Sequence, residues 1–140
     1  MEKIFKITAK SFKPFGTLIE FPKSKKNRKR NNLFHIVLTE KKTIGWRIAY
    51  LIIRDKQINV LEHHPQSFES FEPLYGKTLL YVSNRADFSD LKCFLLDKPV
   101  ILNKGLWHGV TSQSYESAVK ITENAKVRCV YKELPFYLPR

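Results

Sequence analysis

The chain is divided into short segments rich in β-branched and aromatic residues, and these recur at intervals of about ten residues. Segments of this kind, bounded by turn-forming residues, are typical of β-strands. Their spacing favours an antiparallel sandwich or barrel over alternating strands and helices. We therefore predict an all-β fold with strands at residues 33–38, 46–54, 58–63, 78–83, 91–96, 100–102, 117–121 and 127–131.

One short helix is predicted near the N-terminus. Thr8 is a suitable N-cap for the residues that follow it, because its hydroxyl can accept a hydrogen bond from a free backbone N–H. Pro14 and Gly16 then end the helix, since proline and glycine both disfavour its continuation. The helix is therefore expected to be brief.

The size and composition of the chain predict one domain over residues 1–140. A chain of 140 residues with 43% hydrophobic residues can bury one core. It contains no apolar run of the length that a membrane span requires, and residues 1–10 lack the apolar run of a signal peptide. Cys93 and Cys129 stand far apart and are expected to be reduced thiols. We expect a cytoplasmic protein with no membrane partner.

The charge of the chain is strongly positive and unevenly distributed. The formal charge is +12, from 25 basic and 13 acidic residues, and residues 23–30 hold six basic residues in eight. A basic loop at residues 23–32 can bind phosphates, but no aromatic residue interleaves the run and no nucleic-acid-binding motif accompanies it. Nucleic acid is therefore an unlikely partner. A solvated loop is the alternative, and the positive field can also steer a small carboxylate inward.

The strand predicted at residues 58–63 places polar side chains on an apolar face. Side chains alternate between the two faces of a strand, so Ile58, Val60, Glu62 and His64 share one face. If the two apolar residues mark the interior, Glu62 and His64 point inward, where a carboxylate needs a metal, a cation or hydrogen bonds. His63 then points outward. The alternative is a strand that ends early and leaves these side chains in a solvated turn.

Two further residues extend this set of candidates. Glu69 follows a short turn after His64, and surface exposure is its simplest interpretation. Gly105 permits a tight turn before Trp107 and His108, although either aromatic ring can be a structural core residue. Imidazole and carboxylate groups bind metals and exchange protons near neutral pH. Together these residues predict one metal or acid–base site.

Several motifs occur in an order that resembles the ureidoglycolate lyases, a family of the cupin superfamily. The segment Phe12-Lys13-Pro14-Phe15-Gly16 resembles the family's N-terminal Phe-x-Pro-Phe-Gly core. Glu62-His63-His64-Pro65 resembles its Glu-Arg-His-Pro signature, and Gly105-Leu106-Trp107-His108 resembles its Gly-Val-Trp-His signature. Cys129 lies where the family often has an Asn-Cys pair. The spacing of Glu62, His64, Glu69 and His108 also resembles the two metal-binding motifs of cupins.

The resemblance implies a fold and an activity. The fold is a cupin-like double-stranded β-helix, an antiparallel sandwich or barrel, and the reaction splits ureidoglycolate into glyoxylate and urea during allantoin breakdown. Glu62, His64 and His108 are the implied catalytic residues, and the same three with Glu69 are the implied ligands of a divalent metal. Nickel, zinc, manganese and iron all suit such ligands. The resemblance further implies a small carboxylate substrate and a homodimer.

Arg54 and Lys104 are the candidates for binding the substrate carboxylate, and Lys104 stands where the family commonly has a basic residue. This chain departs from the family pattern near the expected pocket, because His63 replaces the signature arginine and Glu69 stands where glutamine is frequent. A diverged or non-catalytic cupin that binds a small carboxylate or a metal is therefore the main alternative. The remaining alternative is a basic nucleic-acid-binding domain.

Overall fold

The computed structural model describes residues 2–25 and 32–140. One helix, α1, spans Ala9–Phe12, and a single 3₁₀ turn spans Lys23–Lys25. The strands are β1 Ile4–Lys6, β2 Gly16–Leu18, β3 Trp46–Ile53, β4 Ile58–His63, β5 Glu69–Tyr75, β6 Thr78–Ser83, β7 Lys92–Leu95, β8 Val100–Leu102, β9 Trp107–Ser112, β10 Ser117–Asn124 and β11 Val130–Leu138.

The strands form two facing sheets. Six strands lie in the order β1-β7-β6-β9-β4-β11, and five lie in the order β2-β8-β5-β10-β3. Only the β1–β7 pair is parallel among the strand pairs of the described residues. The prediction of an all-β antiparallel sandwich with a short N-terminal helix is confirmed.

The main hydrophobic core lies between the sheets and includes the N-terminal helix. Phe12 and Phe15 place their rings 5.2 Å and 5.7 Å from the ring of Phe94 on β7. Thr8 caps the helix as predicted: its hydroxyl accepts a hydrogen bond from the backbone N–H of Ser11 at 2.9 Å. The cap fixes a helix too short to be stable alone, and the burial of Phe12 anchors it to the sheets.

A second apolar cluster covers the outer face of the six-stranded sheet. Leu61, Tyr81 and Leu138 are fully buried there, beneath the end of β11. The outward face of β4 is therefore covered through Leu61. Because apolar packing on the outward face stabilises β4, its inward face can carry polar side chains.

Three predictions about strands are wrong. Residues 33–38 form no strand, although their composition is apolar. Strands β1, β2, β5 and β9 were not predicted, and the last strand begins later and runs further than residues 127–131. The predicted basic loop at residues 23–32 lies mostly outside the described residues, which include only the turn Lys23–Lys25 and residue 32 of it.

Cys93 is buried and Cys129 is exposed, and both are free thiols, as predicted. Among the described residues, no helix is long and apolar enough to cross a membrane.

Candidate metal and active site

Four predicted site residues converge between the two sheets. Glu62 on β4 and His108 on β9 are directly paired across the six-stranded sheet, and His64 follows the end of β4. Glu69 begins β5 in the opposite sheet and faces them. His64, Glu69 and His108 are 5%, 4% and 3% exposed, so the surface interpretation of Glu69 is wrong. The site therefore joins both sheets.

A glycine turn fixes the two histidine segments relative to each other. Gly105 has a φ of +77°, which an L side chain rarely adopts, and its N–H donates to the carbonyl of His64 at 2.9 Å. His63 points to the other face of β4, where its ring stacks on Trp107 at 4.1 Å between centroids. The predicted alternation of His63 and His64 between faces is therefore observed.

The polar atoms of the cluster lie at contact distances. Glu69 Oε2 is 3.2 Å from His64 Nε2 and 3.1 Å from His108 Nε2. Glu62 Oε1 is 3.9 Å and 3.7 Å from the same two nitrogens. Glu62 is the most accessible member, with a third of its side chain exposed. Both imidazole Nε2 atoms therefore face the carboxylates of Glu62 and Glu69.

Backbone carbonyls orient both imidazoles. His64 Nδ1 lies 3.3 Å from the carbonyl of Arg128, and His108 Nδ1 lies 2.9 Å from the carbonyl of Leu106. A carbonyl can only accept, so each Nδ1 donates its hydrogen. In a neutral imidazole the lone pair is then on Nε2, the atom that faces Glu69. This tautomer leaves Nε2 able to bind a metal.

The cluster needs a positive charge at its centre. Glu69 Oε2 and His108 Nε2 are buried without a hydrogen-bond partner. Two neutral Nε2 lone pairs facing a carboxylate repel one another, so either protons or a cation must separate them. Glu62, His64 and His108 can each offer a ligand atom, with all three atoms within 4.8 Å of one another. The donor set fits a divalent metal.

Protons supply that charge when no metal is bound. Burial disfavours the charged form of Glu69, but His108 and His64 outweigh it and lower the pKa of this carboxyl to about 2. Burial likewise opposes the charged imidazoles, and Glu69 outweighs it, so the pKa values of His64 and His108 are raised above 6.5. The raised imidazole pKa values favour protonated rings in the metal-free cluster, and a metal would displace those protons.

The replacement of protons by a metal at the cluster predicts how the stability of the protein depends on pH. Without metal, the raised imidazole pKa values contribute stability below about pH 6.5 and lose it as pH rises through them. Glu69 contributes stability above about pH 4.5 and loses it as pH falls towards 2. We expect the free energy of unfolding in EDTA to fall as the pH rises above about 6.5, and a divalent metal to reverse the fall.

Urea titrations at several pH values measure this effect. The variant carrying His64→Gln and His108→Gln is the control and should lose most of the fall. A wild-type protein whose free energy of unfolding in EDTA rises steadily from pH 6 to 9 would contradict the proposed protonation.

A cavity of about 260 Å³ opens onto the cluster. Its polar lining includes Glu62, Glu69 and His108, and Tyr131 of β11 lies at its edge. The remaining lining is apolar and comes from both sheets: Leu51, Ile58, Val60, Phe71, Gly109, Val110 and Ile121. An apolar cavity with a few convergent polar groups suits a small polar molecule.

The two predicted carboxylate-binding residues are not brought to the cluster. Arg54 is exposed and pairs with Glu116 at 2.8 Å. Lys104 pairs with Glu40 and lies over the ring of Phe68. Neither lines the cavity, because Arg54 follows the end of β3 on its outward side and Lys104 belongs to the turn before β9.

Two residues near the cluster were missed by the sequence analysis. Glu123 on β10 is paired with Glu69 across the five-stranded sheet and can offer a ligand atom together with Glu69 and His64. Tyr131 is paired with Glu62 across the other sheet, and Cys129 and Glu62 raise the pKa of its phenol. Strand alternation was the available signal for Glu123, because Ile121 two residues earlier faces the core.

Comparison with known proteins identifies the family. No curated protein matches the chain. Among solved structures, the S161A mutant of Bacillus subtilis oxalate decarboxylase OxdC aligns with a TM-score of 0.47 and 14% identity, over 66% of this chain. This chain spans only 24% of that protein. The family model described as ureidoglycolate lyase matches residues 2–124, nearly the whole length, and the chain therefore belongs to the ureidoglycolate lyase family.

Proposed function

We propose that this protein cleaves ureidoglycolate to glyoxylate and urea. The observation that carries the proposal is the buried cluster of His64, His108, Glu69 and Glu62, which opens onto a cavity for a small molecule in a chain of this family. The alternative of a cupin that only binds a small carboxylate shares the same site and differs in lacking turnover.

The reaction sets clear chemical demands. Ureidoglycolate carries a hydroxyl group, a carboxylate and a urea nitrogen on one carbon. The hydroxyl proton must leave as the carbonyl forms, the carbon–nitrogen bond breaks, and the departing urea nitrogen must gain a proton. No water is consumed. One base that later acts as an acid is therefore sufficient.

Glu62 is suited to this transfer of the proton. Its carboxylate is the most accessible in the cluster and lines the cavity, so it can meet the substrate hydroxyl group. After accepting the hydroxyl proton, the same carboxyl group donates it to the urea nitrogen. Tyr131 lies beside Glu62 at the cavity edge and keeps its phenolic proton, so it can donate a hydrogen bond to a substrate oxygen.

His64, His108, Glu69 and Glu62 would hold the divalent cation. Such a cation supplies Lewis-acid chemistry, lowering the pKa of the substrate hydroxyl group and attracting the carboxylate. Two nitrogen and two oxygen donors suit nickel, zinc, manganese or iron.

The identity of the products distinguishes a lyase from an enzyme that hydrolyses the ureido group. Purified protein incubated with ureidoglycolate should release glyoxylate and urea in equal amounts. Hydrolysis of the ureido group would instead release ammonia, and that result would contradict the lyase assignment. Tight binding of ureidoglycolate without any product would favour the non-catalytic alternative.

We also propose a homodimer, formed along the free edge of β3. This strand is at the end of its sheet, and its outward residues Trp46, Ile48, Tyr50 and Ile52 are 46–70% exposed. An apolar stripe of this size marks an interaction surface. A second copy can add its own β3 antiparallel to this edge, which pairs the free backbone groups and joins two identical stripes about a two-fold axis.

Charge on this face should prevent the association. Replacing Ile48 and Tyr50 by aspartate is expected to convert a dimer to a monomer at micromolar concentration, because two copies would then bring four carboxylates together. Sedimentation equilibrium measures the change. Tyr137→Asp is the control, since Tyr137 is 57% exposed on β11 of the other sheet. A wild-type monomer at tens of micromolar would overturn this interface.

We propose a cytoplasmic location, which agrees with the exposed free thiol of Cys129, because exposed thiols persist in reducing compartments.

A further inference from the structure

Three charged side chains form a row across the five-stranded sheet. Glu123 on β10 is paired with Glu69 of β5 on one side and with Arg47 of β3 on the other. Paired residues on neighbouring strands point to the same face, and Glu69 faces the cavity. Neighbouring strands lie about 4.8 Å apart, so an arginine two strands away can reach the site.

Arg47 does not itself line the cavity, and its contact with the site runs through Glu123. Arg47 Nη2 donates to Glu123 Oε1 at 3.2 Å, and its side chain is 52% exposed. The side chain of Glu123 is only 7% exposed, and its Oε2 is buried without a hydrogen-bond partner. A ligand atom of Glu123 lies within 4.8 Å of those of His64 and Glu69. Glu123 thus connects Arg47 to the cluster.

An anionic substrate needs a permanent cation at this place. Glu62, Glu69 and Glu123 bring three carboxylates to one region and would repel the substrate carboxylate. A guanidinium group stays charged at any working pH, and a single bond to Glu123 leaves most of its N–H donors available. Its planar fork matches a carboxylate.

We propose that Arg47 binds the substrate carboxylate and that Glu123 positions it. The identity of the substrate rests on the proposed function, whereas the preference for a carboxylate does not. The residues predicted for this role differ in the position of their partners: Arg54 pairs with Glu116 and Lys104 with Glu40, neither of which belongs to the cluster, whereas Glu123 lies beside His64 and Glu69.

Paired small ligands test the proposal without turnover. Glycolate carries the hydroxyl group and carboxylate of the substrate, and glycolamide replaces the carboxylate by an uncharged amide. Calorimetric titration of the zinc-loaded protein should show tighter binding of glycolate. Arg47→Met should weaken glycolate binding about 10- to 100-fold, the range of a charged hydrogen-bond pair, and leave glycolamide binding and zinc content unchanged. The glycolate affinity of Arg47→Lys should lie between those of the wild-type protein and Arg47→Met.

Glu123→Gln should weaken glycolate binding less than Arg47→Met does. In this variant the arginine remains, but it loses the ion pair that positions it. Arg85→Met is the matched control, since Arg85 pairs with Asp87 on a surface turn, and it should bind both ligands normally. Equal binding of the two ligands by the wild-type protein would overturn the proposal. An equal loss of affinity for glycolate and glycolamide in Arg47→Met would also overturn it. The same holds if Arg54→Met, and not Arg47→Met, removes the preference for glycolate.

Turnover separates this proposal from the assigned reaction. If ureidoglycolate is cleaved, Arg47→Met should raise KM about 10- to 100-fold and change kcat by much less. A protein that prefers glycolate through Arg47 but releases no glyoxylate would refute the lyase function and leave the carboxylate site standing.

Discussion

Replacing His64 and His108 by alanine is expected to lower the rate of ureidoglycolate cleavage by roughly 10³-fold or more. Both Nε2 atoms face Glu69 at 3.1–3.2 Å, and both Nδ1 atoms are held by backbone carbonyls, so no nearby imidazole can replace them. The double variant should also fail to retain a divalent metal through dialysis. Glyoxylate release and metal content measure the two losses on one preparation.

His63→Phe is the matched control for this experiment. His63 is the neighbouring imidazole but lies on the opposite face of β4, stacked on Trp107, and phenylalanine preserves the stack. The His63→Phe variant should retain the metal and most of the activity. If the alanine variant fails to fold, the variant with His64→Gln and His108→Gln keeps polar side chains in the buried site and gives the same test. Full activity in a folded double variant would exclude these histidines from the reaction.

Phe94→Ala is expected to cause the largest loss of stability, about 3–5 kcal/mol in the free energy of unfolding. Phe94 is fully buried and contacts the rings of Phe5, Phe12 and Phe15, which come from β1 and the N-terminal helix region. Its removal leaves a cavity where these elements meet the sheets. Such a loss is a large part of the 5–15 kcal/mol typical of a domain.

Chemical denaturation of Phe94→Ala and Phe34→Ala compares a buried and an exposed ring. Phe34 is 88% exposed, so its removal should change the free energy of unfolding by less than about 0.5 kcal/mol. Similar effects of the two substitutions would show that the ring of Phe94 does not hold the N-terminal region to the sheets.

Strands with a clear apolar pattern and a partner could be predicted from the sequence. The bounds of β4, β6 and β8 agree with the prediction, since each is apolar and ends at turn residues. Residues 33–38 are equally apolar, but they pair with no strand among the described residues, and pairing depends on the whole fold. Strand β5 was missed because Pro73 argues against a strand. The structure places Pro73 at a register shift beside Val119, where proline is tolerated.

The site could be predicted only in part. Alternation along β4 predicted that Glu62 and His64 share the inward face, and the glycine turn drew attention to His108. Arg54 was a poor candidate because only residues in register with the cluster can reach it, and register across β5, β10 and β3 depends on long-range pairing. The same alternation applied to β10 would have found Glu123.

The most direct test is a metal titration of the metal-free protein, followed by glyoxylate release from ureidoglycolate. We expect the rate to rise linearly with added divalent metal and to level off at one equivalent per chain, in proportion to metal bound by the cluster of Glu62, His64, Glu69 and His108. Rates that are unchanged after complete metal removal, or no release from folded and metal-loaded protein, would contradict a metal-dependent lyase.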